Sequence, residues 1–232
     1  MKVLIISDGH GALEMLDKLA PIAKDMDLVL FGGDFAEFQK PETGLPFLEK
    51  LTALNENVFS VSGNCDEIDF RDTLEKFDVG IEGTLSYFSG LVLTGSGGGS
   101  YFTGVTPNER TDEELVGDLH MVEESIPEDM GGDIGAWNNL IVISHNPPKD
   151  TAVDAVGKDG HAGSPLLRTF IETYKPLLVV SGHIHEAKAI DRLEETTLVN
   201  PGPLSHGNYA LAEITGGKTK PFTVSAIQLC TL

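Results

Sequence analysis

The chain has 232 residues, 41% of them hydrophobic and 22% charged, which suits one α/β domain with a sizeable core. Its 36 acids outnumber its 16 bases, and the formal net charge of −20 counts against sequence-independent binding to DNA or RNA polymers and against docking on an anionic membrane surface. Two cysteines cannot build a disulfide-dense secreted scaffold, so a reducing cytoplasm is the default expectation.

Val3 to Ile6 form the first apolar run. A signal peptide core needs roughly 7–15 apolar residues and a membrane span about 20, so neither is expected here. The run Lys2–Ile6 reads as a strand ending at Ser7-Asp8-Gly9-His10. Leu13, Leu16, Leu19, Ala20 and Ala23 then recur at helical spacing. Leu28–Phe31 is a second strand, ending at Gly32-Gly33-Asp34. Leu45, Leu48, Leu51 and Leu54 mark a helix over 44–54, and 58–61 is a third strand, ending at Ser62-Gly63-Asn64-Cys65-Asp66. This alternation predicts parallel pairing through right-handed crossovers.

Residues 84–88 and 91–94, joined by Ser89-Gly90, read as a hairpin, and 97–110 as a loop. Residues 109–133 carry ten acids and one base, Arg110, and read as a solvated surface helix and loop. Strands follow at 140–143, ending at Ser144-His145-Asn146, and at 177–180, ending at Ser181-Gly182-His183-Ile184-His185. A helix over 164–174, stopped by Pro176, separates them. The last 45 residues read as short strands at 187–193, 196–200, 208–215 and 221–229. No linker, repeat or low-complexity segment divides the chain, so one domain over 1–232 is expected. The first half suggests a sheet covered by helices, because fully apolar strands are buried on both faces. The later hairpins suggest a second, more antiparallel sheet packed against it.

Five of the apolar runs end in side chains that bind metals: Asp8 and His10, Asp34, Asn64, His145, and His183 with His185. Each fragment alone reads equally well as a turn or a cap. Their repetition at the carboxyl ends of strands, where open α/β sheets place their sites, points to one metal centre. Imidazole with carboxylate suits Mn, Fe, Zn, Co or Ni better than Mg or Ca. Seven donors exceed one tetrahedral site and fit two divalent ions sharing a carboxylate. Two such ions would draw an anion such as phosphate to an otherwise acidic protein.

The blocks Asp8-Gly9-His10, Gly33-Asp34, Gly63-Asn64-Cys65-Asp66, His145 and Gly182-His183-Ile184-His185 resemble the calcineurin-like metallophosphoesterases. The stretches 160–164 and 200–204 look like the small single-domain prokaryotic branch related to Icc-type phosphodiesterases. The resemblance implies a four-layer α-β-β-α sandwich, with two mixed β-sheets flanked by helices. It implies that Asp8, His10, Asp34 and His185 hold one metal ion, and that Asp34, Asn64, His145 and His183 hold the other. It further implies a metal-bridging hydroxide attacking phosphorus in a small phosphate-ester substrate.

One departure stands out. Many family members carry His after the Gly-Asn pair, and here Cys65 occupies that position. A thiol reaches less far than imidazole, so esters with good leaving groups are favoured and the reading leans to phosphodiesters. The alternatives are a phosphomonoesterase and a weakly active metal-binding scaffold of the same fold. Asn64, Cys65, Asp66, His161 and His206 are the candidate catalytic residues, with Asp66 expected to brace the metal loop. Tyr101, Phe102 and Arg110 could line the pocket, Arg110 on a second phosphate substituent. The helical outer layers could support a homodimer. No G-x-S-x-G elbow, P-loop or dinucleotide fingerprint competes with these readings.

Overall fold

The computed structural model describes residues 1–102, 104–125, 137–217 and 219–232. In chain order the strands are β1 (Lys2–Ile6), β2 (Leu28–Phe31), β3 (Val58–Ser60), β4 (Ser86–Phe88), β5 (Leu91–Ser96), β6 (Gly99–Ser100), β7 (Glu109–Arg110), β8 (Leu140–Ser144), β9 (Ala155–Val156), β10 (Gly160–His161), β11 (Leu178–Val180), β12 (Ala189–Leu193), β13 (Thr196–Asn200), β14 (Asn208–Gly217) and β15 (Lys220–Thr231). The helices are α1 (Leu13–Ala23), α2 (Gly44–Leu54), α3 (Phe70–Lys76), α4 (Asp112–Gly117), α5 (His120–Glu124) and α6 (Pro165–Tyr174).

Among the described residues the strands form two large mixed sheets, ordered β15-β14-β1-β2-β3 and β12-β13-β11-β8-β5-β4, and two short ladders, β9 with β10 and β6 with β7. Side-chain alternation along the apolar strands explains the layering. Val3, Ile5, Leu28 and Leu30 point inward, where they meet Ile141, Ile143, Leu178 and Val180 of the second sheet. Their neighbours Leu4, Ile6, Val29 and Phe31 point the other way, onto Leu16 and Leu19 of α1 and Phe47, Leu48 and Leu51 of α2. On the far side Leu140, Val142, Val179 and Leu198 pack against Leu167, Phe170 and Ile171 of α6. Four layers result, helices outside and two sheets inside. Burying one such side chain contributes roughly 1.5–3 kcal/mol, so both faces of these strands stabilise the stack.

Two expectations are corrected. The second sheet is not the more antiparallel one. Its centre, β13-β11-β8-β5, is parallel, and only the edge strands β12 and β4 run antiparallel. The terminal hairpin β14–β15 joins the first sheet instead, with β14 antiparallel to β1. Ala210, Ala212 and Ile214 supply the apolar stripe that buries there, and both sheets would accept such a stripe. Residues 97–110 are likewise more than a loop, because β6 and β7 pair in parallel. In the acidic stretch, α4 begins with a reciprocal cap between Thr111 and Glu114 and buries Leu115. Residues 126–133 of that stretch lie outside the described residues.

Backbone hydrogen bonds zip the loops beyond the strand ends. Asp8 N–H donates to Gly33 O, and His10 N–H to Asp34 O, which joins the turns after β1 and β2. Gly182 N–H donates to His145 O, and His145 N–H to Ser96 O, which joins those of the second sheet. Gly98 N–H donates to Ser62 O and ties the two sheets' loops together.

Candidate metal centre

Asp8, His10, Asp34 and His183 all adopt positive φ, at 54°, 45°, 60° and 63°. A left-handed residue just past a strand turns the chain sharply, and Asp and His tolerate it better than branched residues do. Two glycines make the crossing possible. A Cβ at Gly63 would fall on the Asp34 carboxylate, and one at Gly182 would fall on Ser7 Oγ and the Asp8 carboxylate.

The seven expected side chains come together in two groups. In the first, His185 Nε2 lies 3.3 Å from Asp8 Oδ1 and 3.1 Å from His10 Nε2. In the second, Asn64 Oδ1 lies 2.9 Å from His145 Nε2 and 2.7 Å from His183 Nδ1. Asp34 stands between them: Oδ2 is 3.7 Å from His10 Nε2, and Oδ1 is 3.6 Å from His145 Nε2. One ligand atom from each of Asp8, His10 and His185 falls within 4.8 Å of the others, as it does for Asp8, Asp34 and His145.

The protonation pattern fits divalent cations. His145 Nδ1 is 2.7 Å from Gly32 O, so it carries the proton and donates to that carbonyl. The bare Nε2 then faces the Asn64 side-chain oxygen, lone pair against lone pair, a contact that a cation converts from repulsion to ligation. His10 repeats the arrangement, with Nδ1 3.3 Å from Ala36 O and Nε2 turned to His185. Burial and the nearby His145 hold the His183 imidazole down at about 4, a neutral donor. Burial and the Asp8 carboxylate push Asp34 above the usual carboxylate range. Two buried carboxylates this close need positive charge between them.

Support for the ligand loops comes from several buried groups. Asp66 accepts N–H bonds from Phe35 at 3.2 Å, Ala36 at 2.8 Å and Gly63 at 2.7 Å, and so fixes the turns that present Asp34 and Asn64. Sequence reasoning missed three others. Asn200 closes β13, and its Nδ2 donates to Gly182 O and Ile184 O, holding the His183–His185 turn. Asn108 donates to Gly63 O and Ser62 Oγ. Glu82 is buried and accepts from Ser62 N–H at 2.6 Å. Asn200 carried a signal, because it ends a strand parallel to β11 and so obeys the same strand-end rule.

The remaining candidates fall at different places. Cys65 N–H donates to Asp34 Oδ1 at 2.8 Å, and its sulfur lies within 4.8 Å of ligand atoms of His10 and Asp34. Burial, and then the Asp34 charge, lift the thiol well above its ordinary range. The exposed His206 ring is centred 6.3 Å from that of His185, on a turn whose Ser205 N–H donates to Asp8 O. His161 sits on the β9–β10 hairpin, its Nδ1 2.8 Å from the buried Asp154, and among the described residues it bonds to none of the seven. Arg110 is a correction. Its guanidinium is spent on Asp118 Oδ2 at 2.5 Å and on the carbonyls of Gly97 and Glu114, so it braces the loop and has no free fork for phosphate.

The strand-end Asp, His and Asn side chains form a candidate metal-ligand cluster in a four-layer α-β-β-α sandwich. The family model of the calcineurin-like phosphoesterases matches residues 1–187, and the chain belongs to that family. It is 32% identical over 219 residues to Uncharacterized protein MJ1162 of Methanocaldococcus jannaschii, covering 90% of this chain and 91% of that one. Its fold is similar to the crystal structure of TT1561 of Thermus thermophilus (TM-score 0.67, 19% identity, 90% and 92% of the two chains). It is also similar to a dimetal phosphatase from Danio rerio (TM-score 0.55, 11% identity, 100% and 98%). No described helix is long and apolar enough to cross a membrane.

Proposed function

We propose that this chain hydrolyses small phosphate esters with two divalent transition-metal ions, and that it favours phosphodiesters. The observation that carries the reading is Asp34, whose two oxygens face two separate groups of bare donor atoms. Family membership and the fold shared with a dimetal phosphatase support it. Asp8, His10 and His185 would hold one ion; Asn64, His145 and His183 the other; Asp34 both. When bound, such ions acidify water and neutralise phosphoryl oxygens.

The chain's own residues do the rest. His145 and His10 keep their bare Nε2 atoms aimed inward, because each donates its one ring proton from Nδ1 to a backbone carbonyl. Asp66 fixes the Asp34 and Asn64 turns. Cys65 faces the cluster where imidazole would reach further, so a leaving group that departs without strong protonation suits this site. That favours diesters with good leaving groups over alkyl monoesters. His206 borders the Asp8–His185 side and would orient the ester. His161 would act from the neighbouring hairpin, oriented by Asp154.

The test is protein stripped of metal, reloaded with Mn²⁺, and assayed on bis-(p-nitrophenyl) phosphate and p-nitrophenyl phosphate, with Asp34→Asn as control. Metal-dependent hydrolysis that is faster on the diester and lost in the variant is expected. No turnover of either ester despite two bound ions per chain would replace the enzyme with a metal-binding scaffold.

A further inference from the structure

The segment leaving β5 carries a feature that the metal centre does not use. Within it, Gly99 passes against the second donor group. A Cβ at Gly97 would meet Ser62 and Glu82, whereas one at Gly98 would meet Asn108 and the Arg110 side chain. A Cβ at Gly99 would lie 3.0 Å from His183 Cε1 and 3.1 Å from Asn64 Cβ. Position 99 therefore faces the candidate centre. The ladder continues past β6, since Tyr101 N–H donates to Arg110 O at 2.9 Å. Tyr101 is two residues beyond Gly99 and shares its face, about 6–7 Å further along at the usual strand rise.

Tyr101 is 69% exposed, yet it is not loosely held. Its hydroxyl lies against Gly104, where a Cβ would come within 3.1 Å of it. The backbone beneath is wound on the Glu109 carboxylate, which accepts N–H bonds from Phe102, Gly104, Val105 and Thr106 and an O–H bond from Thr106. Burial works to raise the Glu109 pKa, but these bonds together overcome it and hold the carboxyl below its ordinary range. These bonds brace Phe102, Gly104, Val105 and Thr106, and the Tyr101 side chain beside them stays largely exposed.

We propose that Tyr101 is a specificity-determining residue, a stacking platform for a planar aromatic substituent of the phosphoester. The assignment rests on the metal-dependent phosphoesterase reading, which supplies the site for the phosphoryl head. Ring-on-ring stacking of this kind is sequence- and substituent-tolerant, and it selects planarity rather than one compound.

The test compares two phosphonates that share a phosphoryl head and resist hydrolysis, 2-phenylethylphosphonate and ethylphosphonate. Each is titrated by calorimetry into Mn²⁺-loaded wild type, Tyr101→Ala and Tyr101→Phe. Wild type should bind the phenyl compound about 5- to 10-fold more tightly, from one stacking contact. Tyr101→Phe should keep that preference and Tyr101→Ala should erase it. A preference that survives in Tyr101→Ala, or equal binding of the two probes by wild type, overturns the platform while leaving the metal centre standing. Failure of loaded wild type to bind either phosphonate overturns the phosphoester reading along with it.

Discussion

The two donor groups around Asp34 are made from the same parts and sit in different surroundings. The Asn64–His145–His183 group lies under the β5–β6 crossing, and its His145 side chain is 0% exposed. The Asp8–His10–His185 group opens to solvent, with the His185 side chain 43% exposed. The difference follows from topology. The glycine-rich segment after β5 covers the Asn64–His145–His183 group at Gly99, whereas the turn bearing His206 only flanks the Asp8–His10–His185 group. Burial there excludes competing water and holds the imidazoles neutral, so a buried ion should leave slowly and an open one quickly.

The largest effect expected comes from breaking the buried group. His145→Ala should lower activity by about 10³-fold and reduce metal content to one ion per chain, whereas His185→Ala should cost nearer 10-fold and be rescued by added Mn²⁺. Metal analysis beside steady-state rates would check this, and equal losses would erase the distinction. Next comes Asp66→Ala, which strands three backbone N–H groups in the turns that present Asp34 and Asn64. A loss of about 3 kcal/mol is expected, read as a lower melting temperature in metal-free protein.

Cys65→His should have a smaller effect and sharpen the comparison on the chemical side. It should raise turnover of alkyl esters relative to aryl esters several-fold, and an unchanged ratio would show that this position does not serve the leaving group. The smallest effect concerns Asp154, on the hairpin against the His145 loop. Burial works to raise its pKa, but the Thr151 N–H, His161 and the Gly163 N–H overcome that and hold it below the ordinary value. A depressed carboxylate stabilises the fold at pH above its unfolded value and loses that contribution as pH falls through the folded one. Asp154→Asn should therefore melt lower than wild type near pH 6, and the gap should close below about pH 4. A gap that persists in acid would assign the pair a purely steric role.

Much of this is legible in the chain itself. Helices α1 and α2 fall where leucine spacing puts them, although the face that α2 buries is Phe47, Leu48 and Leu51, with Leu45 left exposed. Asp8, His10, Asp34, Asn64, His145, His183 and His185 stand out because buried strands end abruptly in polar side chains, and strand ends share an edge. Arg110 misleads, since a lone base in an acidic stretch looks free until Asp118 and two carbonyls are seen around it. Asn108 and Glu82 are invisible for a similar reason: a single polar residue carries no period, and its partners are distant in sequence.

Periodicity and residue chemistry are local properties, and they suffice for the strands of the two large sheets, for α1, α2 and α6 and for the donor set, but not for the short ladders β6–β7 and β9–β10. Only the tertiary structure decided that β14–β15 completes the first sheet, that Asp34 faces both donor groups, and that Gly99 lays the chain across His183 with Tyr101 beyond it. Those outcomes depend on which surfaces bury one another, and contacts between distant segments are set by packing of the whole chain.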